Sequence, residues 1–147
     1  MDLQEQLSTD MKEAMKAKDK TSLSVIRMIR SALKYDEIQR KRPLTDDEAL
    51  AIVVHEMKLR RDSLQEYEKA GRDDLVEQIN EEMRIIEKYL PKQMDEEELR
   101  QLIQATIASV GATSKKEMGK VMGAIMPKVK GRADGTLINR LVQEYLQ

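Results

Sequence analysis

Apolar residues recur along this chain at intervals of three and four positions, which is the spacing of one face of an α-helix. The clearest stripe has steps of four, four, three and four and consists of Leu75, Ile79, Met83, Ile86 and Leu90. Six further stripes of this kind occur, and glycine or proline separates most of them from the next. No stretch alternates apolar and polar residues for long enough to indicate a β-strand. The pattern predicts an all-α fold of about seven helices.

The ends of these helices are marked by local signals. An oxygen-bearing side chain stands three positions before a glutamate, the spacing of a capping box, in the pairs Asp2–Glu5, Thr45–Glu48, Asp95–Glu98 and Ser114–Glu117. Stops are predicted at Gly71, Pro91, Gly111 and Pro127, since glycine suits the C-terminal cap and proline disfavours helical geometry. Gly119 and Gly123 are one turn apart within a helical pattern, which favours close approach of another helix at that face.

The best candidate for a linker is the segment 91–94. Pro91 disfavours helical geometry at Leu90, and Asp95 begins a new helix with its own cap. We therefore predict an N-terminal helical domain over residues 1–90, with long second, third and fourth helices. Residues 95–147 are predicted to form a small C-terminal domain of three helices.

Composition excludes several kinds of site. The chain has no Cys, Trp or Phe and a single His, His55. Disulfides, thiolate metal sites and Cys nucleophiles are excluded, and the sequence shows no phosphate loop. Neighbouring helical residues diverge by about 100°, so His55 and Glu56 do not face one site. We predict no catalytic residue, no metal and no cofactor.

No segment is predicted to enter or cross a membrane. The longest apolar run is the six residues from Ala49 to Val54, whereas a spanning helix needs about 20. The first residues include Asp2 and Glu5 and contain no apolar core of a secretory signal. By default, the expected location is the cytoplasm.

Charge is segregated along the chain although the formal net charge is -1. Residues 11–42 carry ten basic and four acidic residues, and residues 115–140 carry seven basic and two acidic residues. Between them, residues 43–98 carry eight basic and 17 acidic residues. In this acidic middle, solvated helix faces with ion pairs such as Lys58–Asp62 and Glu68–Arg72 are expected.

The second basic block has the features of a phosphate site. Its helix is predicted to stop at Pro127, and a short cationic loop then leads to a last helix capped by Asp134. The free amides at a helix N-terminus attract anions, and cations contact phosphates. The candidate nucleic-acid contacts are Lys115, Lys116, Lys120, Lys128, Lys130, Arg132 and Arg140, with Asn139 as a polar partner. A solvent-exposed basic turn without a ligand is the alternative interpretation.

Three stretches of the chain closely resemble the bacterial YqeY proteins of the GatB/YqeY group. They are RRDSLQEYEKAGRDDLV (Arg60–Val76), YLPKQMDEEEL (Tyr89–Leu99) and MGKVMGAIMPKVKGRADGTLINRLV (Met118–Val142). The resemblance covers nearly the whole chain. It implies an all-helical fold with an N-terminal helical domain and a small three-helix C-terminal domain.

The resemblance also implies an association with tRNA. The related segment of GatB is the tail of the tRNA-dependent amidotransferase, which contacts the tRNA body while the chemistry occurs elsewhere. Similar modules are fused to some glutaminyl-tRNA synthetases. No catalytic residue carries over, and the family label of carbon–nitrogen ligase with glutamine as amido donor belongs to the larger enzyme.

Our first hypothesis is a tRNA-associated binding module in translation that has no catalysis of its own and reads phosphates and shape. An amidotransferase or an aminoacyl-tRNA synthetase is then a candidate partner. The second hypothesis is an amidotransferase-like component that acts only with partner subunits. The third is a protein–protein adaptor, for which ten methionines on apolar stripes would form an adaptable groove. The N-terminal basic block, with Arg27, Arg30 and Lys34, extends the RNA surface if both blocks face one side.

Overall fold

The computed structural model describes residues 2–146 and is all-α over that range. Seven α-helices and one short 3₁₀ turn are present in the described chain, and the described chain contains no strand. They are α1 (Leu3–Ala17), α2 (Lys20–Arg40), α3 (Asp46–Lys69), α4 (Asp73–Glu87), α5 (Glu96–Val110), the 3₁₀ turn (Lys115–Glu117), α6 (Met118–Val129) and α7 (Gly135–Tyr145). This confirms the predicted fold class. No described helix has the length and apolarity that a membrane crossing demands.

The chain divides into two compact units, one ending at Leu90 and the other beginning at Pro91. In the first unit, α1 packs against α2 and α3 packs against α4, and α2 contacts both members of the second pair. Its core contains Leu7, Ile29, Val53 and Ile86, none of which is exposed to solvent. Burial of such side chains stabilises a unit by about 1.5–3 kcal/mol each.

A buried ion cluster joins α3 to α4 in this unit. The Arg60 residue is only 5% exposed. Its Nε donates to Glu82 at 3.1 Å, and its Nη1 donates to the carboxylate of Glu56 at 2.8 Å. Since every donor of a buried guanidinium needs an acceptor, Glu82 joins α4 to Arg60, while Glu56, one turn earlier on α3, holds the guanidinium in place.

The second unit contains α5, α6 and α7, packed around Leu99, Ile103, Val121, Ile125 and Leu141, all fully buried. The segment 91–94 packs onto this unit. The Met94 amide donates to the Arg132 carbonyl at 2.9 Å, and the Gln93 amide group donates to the Gly131 carbonyl at 2.7 Å. Gly131 has a φ of +73°, the left-handed geometry that glycine adopts without strain.

Most predicted caps are present, and one is wrong. Asp2, Thr45 and Asp95 each accept a hydrogen bond from the amide three residues later, and Thr45–Glu48 is a complete capping box. Ser114 makes no such bond. The Glu117 amide donates instead to the Ser114 backbone carbonyl at 3.0 Å, and the Glu117 carboxylate accepts from the Thr113 amide at 3.1 Å. The cause is the tight 3₁₀ turn that precedes α6.

Two predicted helix limits also differ from the structure. Pro127 does not end α6, which continues to Val129. Continuing the helix through Lys128 brings the side chain of Val129 into the core, where it is fully buried. The helix α4 was predicted to be long and to stop at Pro91. It has 15 residues, the same length as α1, and ends at Glu87.

Candidate nucleic-acid interface

The basic residues of the C-terminal unit lie mainly on the 3₁₀ turn and on α6. Lys115 and Lys116 are in the turn, Lys120 and Lys128 are on α6, and Lys130 caps its C-terminus. All five side chains are exposed. Val121, Ile125 and Val129 on the opposite side of α6 are fully buried and hold the helix against the core. The burial of one face therefore presents the lysines to solvent.

One face of α6 is both cationic and low in relief. Lys120, Gly123 and Pro127 follow one another on α6 at steps of three and four and so share a face, and Lys116 lies in the 3₁₀ turn just before the helix. Gly119 borders it. A Cβ atom built on Gly119 or Gly123 would meet no atom of another helix of the described chain within 4 Å. The prediction that these glycines allow close packing of another helix in this unit is therefore wrong, because both face open space.

None of these five lysines forms an ion pair with another residue in the range 2–146. The arginines of α5 and α7 behave differently. Arg100 donates to Glu96 and Glu144, both at 3.2 Å, and Arg140 lies 3.8 Å from Glu96 and 3.9 Å from Glu144. Arg140 therefore belongs to an ion-pair cluster between α5 and α7, which separates it from the unpaired lysines.

The ion-pair cluster between α5 and α7 stabilises the protonated form of Arg100. The hydroxyl of Tyr145, followed by the carboxylates of Glu96 and Glu144, raises the pKa of Arg100 above its ordinary value. The guanidinium carbon also lies 5.9 Å from the centre of the Tyr145 ring. These contacts stabilise the C-terminal unit by joining α5 to α7.

Arg132 has a role within the fold that its sequence position did not reveal. Its Nε donates to the Lys92 carbonyl at 2.9 Å, and its own amide donates to the Val129 carbonyl at 2.8 Å. The side chain is half-buried and holds the segment 91–94 against the turn after α6. The predicted loop of three equivalent cations is thus corrected: Lys128 is helical, Lys130 is exposed and Arg132 is a structural contact.

The N-terminus of α7 is occupied by the protein itself. The Asp134 carboxylate accepts from the Thr136 amide at 3.4 Å. A carboxylate at this position satisfies a free amide and opposes a second anion. Asn139 is exposed one turn later and accepts from Gln143 at 3.0 Å. The N-terminus of α7 is therefore less suited to an external anion than the sequence predicted.

The described residues contain no group of His and carboxylate side chains that could hold a metal ion. His55 is exposed on α3. Five exposed lysines around α6 have no ion-pair partner within the range 2–146. We call this set, Lys115, Lys116, Lys120, Lys128 and Lys130, the α6 lysine surface.

Curated relatives include three fungal proteins that share the name "Altered inheritance of mitochondria protein 41, mitochondrial". The one from Pyrenophora tritici-repentis is 30% identical over 95% of this chain and 78% of its own length. The one from Saccharomyces cerevisiae is 32% identical over 81% of this chain and 68% of its own length. The one from Candida glabrata is 38% identical over 57% of this chain and 47% of its own length.

These names contradict the expectation of a cytoplasmic protein. That expectation rested on the lack of an apolar secretory signal, which argues only against secretion. Signals for import into mitochondria are amphipathic and basic, so a search for apolar segments does not detect them.

The family assignment agrees with the fold and with the resemblance found in the sequence. The family model described as "Yqey-like protein" matches residues 4–146, which include every helix from α2 to α7 and nearly all of α1. A match over almost the whole chain, together with relatives at 30% identity or more, is sufficient to assign the family. The chain belongs to the YqeY-like protein family.

Proposed function

We propose that this protein is an RNA-binding accessory module that contacts the phosphates of tRNA through the α6 lysine surface. The observation that supports the proposal is the pairing state of the cations. Five exposed lysines around α6 have no carboxylate partner among residues 2–146, whereas Arg100 and Arg140 in the same unit are paired. A cluster of cations on one surface is the usual electrostatic footprint of a phosphate-binding site.

The shape of α6 adds a second argument. With no side chains at Gly119 and Gly123, a sugar–phosphate backbone can approach the helix closely between Lys116 and Lys120 on one side and Lys130 at the end. Contacts of this kind read shape and charge rather than base identity. The proposed ligand is therefore a structured RNA such as tRNA, bound without catalysis by this chain alone.

The test compares tRNA binding by the Lys116→Gln/Lys120→Gln variant with binding by a matched control. The control, Lys58→Gln/Lys69→Gln, removes the same charge from α3, where the two lysines lie 3.4 Å from Asp62 and 3.8 Å from Glu66. Fluorescence anisotropy is measured with labelled tRNA over a range of salt concentrations. Each phosphate contact adds roughly 0.7–0.9 to the magnitude of the slope of log K against log salt.

We expect the slope of the α6 variant to flatten by about 1.5, while the control keeps the wild-type slope. Circular dichroism should give the same helicity for all three proteins, because each substituted side chain is exposed. An α6 variant that binds tRNA like the wild type, with the same slope, would remove the α6 lysine surface as the binding site.

The amidotransferase-like component remains the alternative function. It requires an ammonia source and an ATP site from other subunits. Glutamine hydrolysis and ATP hydrolysis by the purified protein are expected to stay at background. Turnover that co-purifies with the chain and disappears on a single point substitution would favour that alternative.

A further inference from the structure

The N-terminal unit contains an open groove between α1 and α2. Its volume is about 780 Å³, within the range of about 300–1,000 Å³ typical of ligand-binding pockets. One wall is a stripe of α2 at helical spacing, and Met11 of α1 lies opposite. The stripe contains Arg27, Arg30, Lys34, Tyr35 and Ile38. We call this feature the α1–α2 groove.

The cations of the groove lack anionic partners. Arg27, Arg30 and Lys34 form no ion pair with any residue in the described range. Arg30 Nη1 donates to the Met11 sulfur at 2.8 Å, and a thioether is a weak acceptor. The groove's one carboxylate, Glu37, instead accepts from Gln4 at 2.6 Å. Glu37 keeps its negative charge, so the wall carries three cations against one carboxylate and a net positive charge.

An aromatic ring lies beside these cations. Tyr35 is 67% exposed, the largest exposed fraction among the large hydrophobic side chains of the described chain. Its hydroxyl has no hydrogen-bond partner among the described residues. An exposed ring next to several cations is the arrangement that stacks a nucleobase and holds the phosphates on either side of it. Arg27 and Lys34 are about 10 Å apart along the helix axis, at about 1.5 Å per residue.

That length allows the cations of the wall to contact more than one phosphate of a single strand. We propose that the α1–α2 groove binds single-stranded RNA, with one base stacked on Tyr35 and the adjacent phosphates held by Arg27, Arg30 and Lys34. The proposal rests on the proposed function for its ligand class and adds a second site, which reads an unpaired segment. An acidic protein segment is less well matched, since Ile38 is the only strongly exposed aliphatic residue of the groove and protein interface cores are depleted in charge.

The experiment measures binding of fluorescein-labelled octa-adenylate to the full chain by anisotropy. Tyr35→Ala is expected to weaken binding about tenfold, because stacking on an aromatic side chain contributes roughly 1–3 kcal/mol per base. Tyr35→Phe, which keeps the ring, should bind within about twofold of the wild type, a margin of roughly 0.4 kcal/mol. Arg27→Gln/Lys34→Gln should flatten the salt slope by about 1.4, at roughly 0.7 per contact on a single strand.

Two controls separate this site from other interpretations. Ile38→Ala should leave octa-adenylate binding unchanged, whereas it would weaken the docking of a protein segment. A labelled peptide of eight glutamates, which has negative charge but no bases, should bind more weakly than octa-adenylate and show no dependence on Tyr35. Equal binding of the peptide, or no loss with Tyr35→Ala, would overturn the proposal.

The two sites are tested independently. The Lys116→Gln/Lys120→Gln protein should keep the full effect of Tyr35→Ala on octa-adenylate, because those lysines belong to the other unit. If that protein binds tRNA normally and the effect of Tyr35→Ala persists, the proposed function fails at α6 while the groove stands. If the Lys116→Gln/Lys120→Gln protein shows a flatter salt slope with tRNA and Tyr35→Ala does not weaken octa-adenylate binding, the groove proposal is refuted. The α6 lysine surface is then supported.

Discussion

Removing Arg60 should destabilise the N-terminal unit more than any change to an exposed charge. The Arg60→Met substitution keeps a long apolar stem and removes the donors to Glu56 and Glu82. The side chain of Arg60 is 6% exposed, and those of Glu56 and Glu82 are 13% and 20% exposed. Removing one partner from a buried ion pair costs about 3–5 kcal/mol, because the remaining charge stays desolvated.

We expect the lower end of that range, about 3 kcal/mol, since both carboxylates retain some contact with water. Arg60→Lys keeps the charge but has no planar fork to reach both helices, and should lose about half as much, roughly 1.5 kcal/mol. Adding Glu82→Gln to Arg60→Met removes one of the orphaned carboxylates. That double variant should therefore recover part of the loss, with a coupling of about 1–2 kcal/mol.

Hydrogen exchange read by mass spectrometry is the suitable assay, because it reports opening free energies segment by segment. The loss should appear in peptides from α3 and α4, while α5–α7 report the C-terminal unit separately. A loss of unfolding free energy below about 1 kcal/mol, the usual size for exposed pairs, would refute the conclusion that burial makes this cluster important for stability.

Two further predictions concern the same unit. Lys41 caps α2 with a φ of +58°, a left-handed conformation that costs a non-glycine residue roughly 1–2 kcal/mol. Lys41→Gly relieves this strain and should stabilise the unit by about 0.5–1 kcal/mol, measured by urea unfolding. An unchanged unfolding midpoint would contradict this prediction. Burial, together with the hydrogen bond that Tyr89 donates to Asp10 at 2.6 Å, raises the pKa of the Tyr89 hydroxyl above its ordinary value. The folded state therefore keeps this proton above pH 10 when the unfolded state releases it, and stability should fall as pH rises from about 10, with a smaller fall in Tyr89→Phe.

The helices could be predicted because their signals are local. Periodic apolar residues and the caps at Thr45 and Asp95 depend on residues within one or two turns of each other, and these predictions are confirmed. Ion pairs depended on helix limits and were predicted less well. Lys58–Asp62 is present at 3.4 Å, but Arg72 lies outside α3 and pairs with Asp74 at 3.0 Å instead of Glu68.

Contacts between distant segments could not be read from spacing. Arg60 and Glu82 are 22 positions apart, and Arg132 and Lys92 are 40 positions apart. A basic residue in a charged helix looks like any solvated cation until its neighbours in space are known. For that reason the sequence grouped Arg132 and Arg140 with the α6 lysines, and the structure places both in contacts within the fold.

The glycines of α6 show how the structure changes the functional argument. Each glycine in a helix interior lowers helix stability by about 1 kcal/mol relative to alanine. The sequence pattern predicted that close packing of another helix compensates for this loss. The structure removes that explanation, since no other helix of the described chain comes within 4 Å of a Cβ built at Gly119 or Gly123. Pro127 adds to the cost by removing a donor from the last turn. The glycines and the proline lower the stability of α6, and no contact of the glycines with another helix of the described chain compensates for this. Such a helix is consistent with a surface that a ligand approaches closely, and ligand binding is the role proposed for the lysines beside it.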